Sequence, residues 1–276
     1  MTYWNAVLLG LVQGVAEFLP ISSSGHLAVL QNFLAIGDME NHMLFDVLLH
    51  LGTLAAVILA FWKDVREVVT EFARMLHIRR TPRGLRPNRR ERRLISFLII
   101  ATLPLIPAAF LSNVVESLYQ NTFFIGFAFI LTGFLLFAAD RMGHGNKDER
   151  SSTTADALVV GLAQAAAVVP GLSRSGTTIS FGMLRGFERS FAVKFSFLLS
   201  IPAVLGANLV SIIKVFSTGV EWSYVPMYLV GVACAFVSGY FAIYFLRLVV
   251  QRGKFGGFCY YCWGAGLVTL LLSLIS

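Results

Sequence analysis

The chain has 276 residues, of which 57% are hydrophobic and only 13% charged, with a formal net charge of +7 and a mean hydropathy of +0.73. A soluble domain carries about 25% charged residues, so the composition excludes an ordinary water-soluble enzyme and points to an integral membrane protein. No charged leader with a cleavage pattern precedes the first apolar run, so no removable signal peptide is expected.

In chain order, the first apolar run, 4–19, stops at Pro20, and the next, 21–36, stops near Gly37-Asp38. Both fall short of the roughly 20 residues that cross a bilayer. Residues 43–62 are long enough to span. Nine arginines then lie between Arg74 and Arg93 against one acid, Glu91. This block reads as the marker of a short cytoplasmic loop rather than a nucleic-acid or anionic-lipid patch. Spans at 94–111 and 123–139 follow, then a second short pair: 156–169, ended by Pro170, and a stretch to about 187, ended by Arg185, Glu188 and Arg189. Three further spans are expected at 195–215, 224–246 and 256–275. Pairs of short, Pro- and Gly-interrupted apolar pieces mark re-entrant half-helices. Cys234, Cys259 and Cys262 sit in apolar helix-like sequence and read as small buried hydrophobes, since no second ligand pair accompanies Cys259 and Cys262.

The chain also repeats. Phe45 to Val65 aligns without gaps on Phe195 to Val215 with five identities in 21 positions, and the two Pro–Ser–Gly segments recur at nearly the same offset. The expected fold is therefore an all-α polytopic membrane protein of ten helices: two repeats, 1–140 and 155–276, joined by a linker, 141–154, each a re-entrant pair plus three spanning helices. Placing the Arg-rich segment 74–93 inside puts 141–154 inside as well, and both termini outside. An odd number of spans per repeat inverts the second repeat, which brings the half-helix tips together at mid-membrane.

Those tips carry the chemistry. Gln13 and Glu17, at i and i+4, share one face of the first half-helix. An acid inside a membrane costs about 2.5–3.5 kcal/mol on insertion scales and marks function by default; the bland reading is a residue at the wet interface. Ser22, Ser23, Ser24, Gly25 and His26 open the next half-helix, where free N–H groups and the dipole favour anions. One serine there is an ordinary cap; three with a histidine supply nucleophile and proton carrier. The second tip offers Arg174, flanked by Ser173, Ser175, Gly176, Thr177 and Thr178, to grip phosphate oxygens. Pairing of Arg174 with Glu17 alone, as a structural bridge, is the bland alternative. Asp46 and His50 are lesser candidates for lining the cavity, while His42, His77 and His144 look solvated.

The segments running from Gln13 through Glu17-Phe-Leu-Pro-Ile-Ser-Ser-Ser-Gly to His26, and from Pro170-Gly-Leu-Ser-Arg-Ser-Gly-Thr to Thr178, closely resemble the bacterial undecaprenyl-diphosphatase, or bacitracin-resistance, family over essentially the whole chain. The family's first motif often begins with Glu where this chain has Gln13, which leaves Glu17 as the chief acidic group. The resemblance implies a hydrolase of the bacterial inner membrane that converts undecaprenyl diphosphate to undecaprenyl phosphate and phosphate. It would thereby recycle the lipid carrier of peptidoglycan synthesis and confer resistance to bacitracin, which competes for the substrate. It also implies a divalent cation, Mg²⁺ or Ca²⁺, with Glu17 as a metal ligand.

The expected catalytic residues are Glu17, Ser23, His26 and Arg174, in a site opening to the outside. Ser23 attacks phosphorus, His26 manages protons, Arg174 neutralises charge, and Glu17 orients His26 or holds the cation. Gln13, Ser22, Ser24, Gly25, Ser173, Ser175, Gly176, Thr177 and Thr178 are expected around the diphosphate. The expected partners are the polyprenyl diphosphate, membrane lipids and a second copy as a homodimer, with no nucleic acid. Metal-activated water is the competing mechanism, and an undecaprenyl phosphate carrier the competing function, since inverted repeats with broken helices also build transporters. A type 2 phosphatidic-acid phosphatase is a weaker reading, because the Lys…Arg-Pro and His…Asp elements of that superfamily are absent.

Overall fold

The computed structural model describes residues 1–33, 43–76, 88–218 and 222–274. Within them the chain is helical and contains no strand, only one isolated bridge, between Lys147 and Phe187. The helices are α1 (Tyr3–Phe18), α2 (Ser23–Phe33), α3 (Met43–Ala60), α4 (Trp62–Met75), α5 (Arg89–Thr102), α6 (Leu105–Ala109), α7 (Ser112–Tyr119), α8 (Thr122–Met142), α9 (Thr154–Ala166), α10 (Arg174–Leu184), α11 (Arg189–Thr218), α12 (Val225–Gln251) and α13 (Phe258–Ser273).

Among the described residues, thirteen helices therefore replace the ten expected, and the excess has local causes. Pro104 breaks the span after α5 and sets off α6. The short α7 leads into α8, whose N-cap Asn121 accepts a hydrogen bond from the Phe124 amide. Beyond Phe61 the chain turns by 91° into α4, whose apolar and charged residues separate onto two faces. Five helical stretches are long and apolar enough to cross a membrane, or six if the bent pair α3 and α4 counts as one span. Large side chains such as Trp4, Phe110, Phe241 and Tyr260 stand on the outer surface, as expected where the surrounding solvent is lipid.

The four short pieces are helices broken where the prolines predict. α1 ends before Pro20 and α9 before Pro170, and α2 and α10 begin three to four residues further on. α1 lies along α12, and α9 along α5; α3 packs on α12 and α11, α11 also on α5, and α8 on α13. Glycines allow the closest of these approaches: a Cβ on Gly14 would sit 2.4 Å from the Ala235 carbonyl oxygen of α12. The core is aromatic and aliphatic, with the rings of Phe18 and Phe61 each 5.6 Å from that of Phe197.

The segment between α8 and α9 is fastened by charge. Arg90 pairs with Glu149, the Arg93 guanidinium donates to the Ser152 carbonyl at 2.5 Å, and Lys147 and Arg185 both bind Asp156. Thr153 and Asp156 form a reciprocal capping box at the start of α9.

Candidate active site

The two proline-ended loops finish in the same kind of serine cap. Ser22 caps α2 by accepting from the Gly25 amide at 3.2 Å, and Ser173 caps α10 by accepting from the Gly176 amide at 3.0 Å. In each loop the capping hydroxyl lies 3.3 Å from the serine two residues on, Ser24 or Ser175. Ser22 is held at φ 69° and Gly171 at φ 87°, the left-handed region that only glycine enters freely. A Cβ on Gly25 would come within 3.0 Å of the Gly171 Cα, and one on Gly176 within 3.1 Å of the Pro20 Cβ. The glycines thus let the loops interlock, which aims two helix N-termini at one place.

Ser23 and Arg174 each stand directly after the capping serine, as the first residue of their helix. Both reach the same carboxylate. Ser23 Oγ donates to Glu17 Oε2 at 2.6 Å, and the Arg174 guanidinium donates to Glu17 Oε1. Gln13 Nε2 donates to Glu17 Oε2 at 3.1 Å, and His50 Nε2 lies 4.0 Å from the same oxygen. Glu17 is buried, with 7% of its surface exposed, so its cationic and proton-donating neighbours are what make its charge tolerable there.

Not every expected site residue joins this cluster. The His26 ring nitrogens lie 2.7 Å from the Ser22 carbonyl and 2.7 Å from the Tyr261 hydroxyl, and pair with neither Ser23 nor Glu17. Ser175 donates to the Leu19 carbonyl, Thr178 lies against Ser196 and the Arg174 carbonyl, and Thr177 is buried. Beside the Glu17 cluster opens a cavity of about 650 Å³ that reaches Glu17, Ser23, Ser24, Ser173 and Arg174 at its polar end. Its remaining wall is mostly apolar, from α6, α9 and α11. Gln13, Ser22, Gly25, His26, Ser175, Gly176, Thr177 and Thr178 do not line it; they shape the loops. His144 is exposed, whereas His42 and His77 fall outside the described residues.

The cavity fits an amphiphile with an anionic head at Arg174 and an apolar tail along the wall. The family described as Bacitracin resistance protein BacA matches residues 6–268. The chain belongs to that family. A protein named undecaprenyl-diphosphatase from Alkaliphilus metalliredigens is 41% identical over 100% of both chains. Proteins of the same name from Syntrophotalea carbinolica and Halothermothrix orenii are 41% and 36% identical, over 96% and 99% of this chain and 97% and 99% of their own.

Within this BacA-family site, four cavity residues carry little or no signal in the sequence. Asn208, a lone amide in the apolar run of α11, is detectable only by its polarity. His50 stands out only as the i+4 partner of Asp46, and its Nδ1 in fact lies 2.8 Å from the Asp46 carbonyl. Tyr119 has no local mark of a shared cavity, and Gln164 is marked only as the start of the second proline-ended segment.

Proposed function

We propose that the chain hydrolyses undecaprenyl diphosphate to undecaprenyl phosphate and phosphate, with Ser23 as nucleophile. The observation that carries this reading is the Glu17 carboxylate, bonded at once to the Ser23 hydroxyl and to the Arg174 guanidinium at the polar end of an apolar cavity. Matching substrate chemistry is a diphosphate on a long hydrocarbon.

The mechanism follows from which bonds Glu17 gives up. A diphosphate entering the cavity competes for Arg174, which offers a fork matched to phosphate oxygens. Losing its cation leaves Glu17 a stronger base, already 2.6 Å from the Ser23 hydroxyl. Ser23 Oγ attacks the terminal phosphorus as Glu17 takes its proton; the bridging P–O bond breaks and undecaprenyl phosphate leaves. Arg174 and the N–H groups opening α2 and α10 stabilise the charge on the equatorial oxygens. Water then attacks the phosphoserine phosphorus as the P–Oγ bond breaks; Glu17 returns its proton to Ser23 Oγ, and phosphate leaves carrying the protons of the water. His26, fixed by Ser22 and Tyr261, holds the first turn of α2 in place.

A divalent cation also belongs to this reading. Among the described residues no group of three His, Cys, Asp or Glu side chains could hold a metal. Yet the Gln13 side-chain oxygen is buried beside Glu17 with no hydrogen-bond partner. Glu17, at the polar end of the cavity, would hold a Mg²⁺ or Ca²⁺, with the Gln13 oxygen behind it as a second donor. Such an ion would supply charge neutralisation of the phosphate oxygens.

The same reading makes the fold an inverted duplication of six spans lying in the bacterial cell membrane. Its support is the exchange of partners: α1 on α12 mirrors α9 on α5, and α3 on α12 mirrors α11 on α5. With the basic segment 74–93 inside, residues 141–154 are cytoplasmic and the termini and cavity mouth face outward, where bacitracin would compete for the lipid.

The test is phosphate release by purified protein with terminally radiolabelled substrate and an acid quench. Trapped label on wild type that is absent from Ser23→Ala supports the serine route. No trapped label despite turnover favours activated water, and no release at all favours the carrier.

A further inference from the structure

Next to the catalytic cavity lies a second one, of about 350 Å³. Its walls come from four helices: Val68, Val69 and Phe72 of α4, Leu98 and Ile99 of α5, Ile106 of α6, and Leu198 of α11. No charged side chain lines it. Thr102 is its single polar lining residue, and that hydroxyl is spent on the Leu98 carbonyl at 2.7 Å.

Two features make this a built groove rather than a gap. The apolar residues of α4, 65, 68, 69 and 72, follow helical spacing and form the face turned to α5, while the charged face carries the fastenings. Glu71 binds Arg92 at 2.7 Å, tying α4 to α5, and Asp64 binds Lys194 at 2.5 Å, tying α4 to α11. The groove is also continuous with the catalytic cavity. Thr102, Ile106 and Pro202 line both, at the break that Pro104 makes after α5 and beside the proline inside α11.

We propose that this groove seats the distal part of the prenyl chain and sets the enzyme's preference for long chains. The inference rests on the phosphatase reading and names a specificity element for it. A head group fixed at Arg174 starts the chain down the apolar wall of the first cavity. A short tail ends there, whereas a long one continues past Pro202 into the second groove. Contacts far from phosphorus then contribute binding energy that holds the diphosphate in line with Ser23.

The test places a large ring in the groove at positions that are already half or nearly half exposed: Val69→Trp and Ile99→Trp. Leu229→Trp on the outer face of α12 serves as a control for a new surface ring. Phosphate release is measured with undecaprenyl diphosphate and with farnesyl diphosphate. Both groove variants are expected to lose about tenfold or more in kcat/KM for the long substrate, the scale of a lost apolar subsite contact, and to stay within about twofold for the short one. Leu229→Trp leaves both unchanged. Parallel loss on both substrates in both groove variants, or no loss on either, overturns the proposal; the second outcome would leave the groove to membrane acyl chains. Wild-type turnover of either substrate reports on the phosphatase reading by itself, while the ratio between substrates reports on the groove.

Discussion

Glu17 is the residue on which the site converges, and its neighbours define what its removal should do. Glu17→Gln keeps the shape, removes the charge that Arg174 meets, and removes the proton acceptor for Ser23. Loss of a positioned base costs about 10²–10⁴ in rate, so kcat is expected to fall by that order in a phosphate-release assay with KM much less affected. Tyr261→Phe tests a finer contact. It deletes the hydrogen bond to His26 across 235 residues of sequence, worth about 1 kcal/mol, and is expected to lower kcat by about fivefold. Glu17, Ser23, His26 and Arg174 stand out as candidates by residue type alone, because polar and charged groups are costly inside apolar sequence. Which of them touch does not. The Ser23 hydroxyl faces Glu17 and the imidazole faces Tyr261 because the first turn of α2 points residues 23 and 26 at different neighbours, and only the packing of α13 supplies the tyrosine.

Among the elements, the broken helices were readable and the added ones were not. Pro20 and Pro170 end α1 and α9 by simple chain chemistry, and Ser22 and Ser173 start the next helices as caps. α4 escaped because an amphipathic helix of fourteen residues fails a search for apolar spans; only its separation into two faces announced it. Gly171 carries the second turn at φ 87°, and a Cβ there would meet Ala128 at 2.7 Å. Gly171→Ala is expected to cost about 1–3 kcal/mol, seen as a lower unfolding temperature in detergent. Asp156 anchors α9 to its surroundings. Burial alone would push its carboxyl up, but hydrogen bonds from Lys147, Thr153 and Arg185 hold it down at about 2. A carboxyl depressed on folding stabilises fully above its ordinary value near ~4 and loses that contribution as pH falls through the folded value. Asp156→Asn is therefore expected to lower the unfolding temperature at neutral pH, with the gap to wild type shrinking between about pH 4 and pH 2.

For the whole molecule, the proposed duplication would account for two loops with matching caps and for α1 on α12 beside α9 on α5. The Glu17 carboxylate meets both Ser23 of the first loop and Arg174, 157 residues away. The topology that the duplication requires is open to labelling. On whole cells, Thr2→Cys is expected to react with a membrane-impermeant maleimide and Arg150→Cys to react only after permeabilisation, above the wild-type background of Cys234, Cys259 and Cys262. The recurrence of the two Pro–Ser–Gly segments and the charge asymmetry are legible in the sequence; the pairing of helices needed coordinates, since apolar helices of similar composition do not name their neighbours. The most direct test of the central claim, that the two loops build one catalytic centre, is phosphate release from undecaprenyl diphosphate by purified wild type, Ser23→Ala and Arg174→Ala at matched unfolding temperatures. Turnover by wild type with a fall of about 10² or more in kcat for each variant is the expected result. Wild-type kcat in either variant would contradict it.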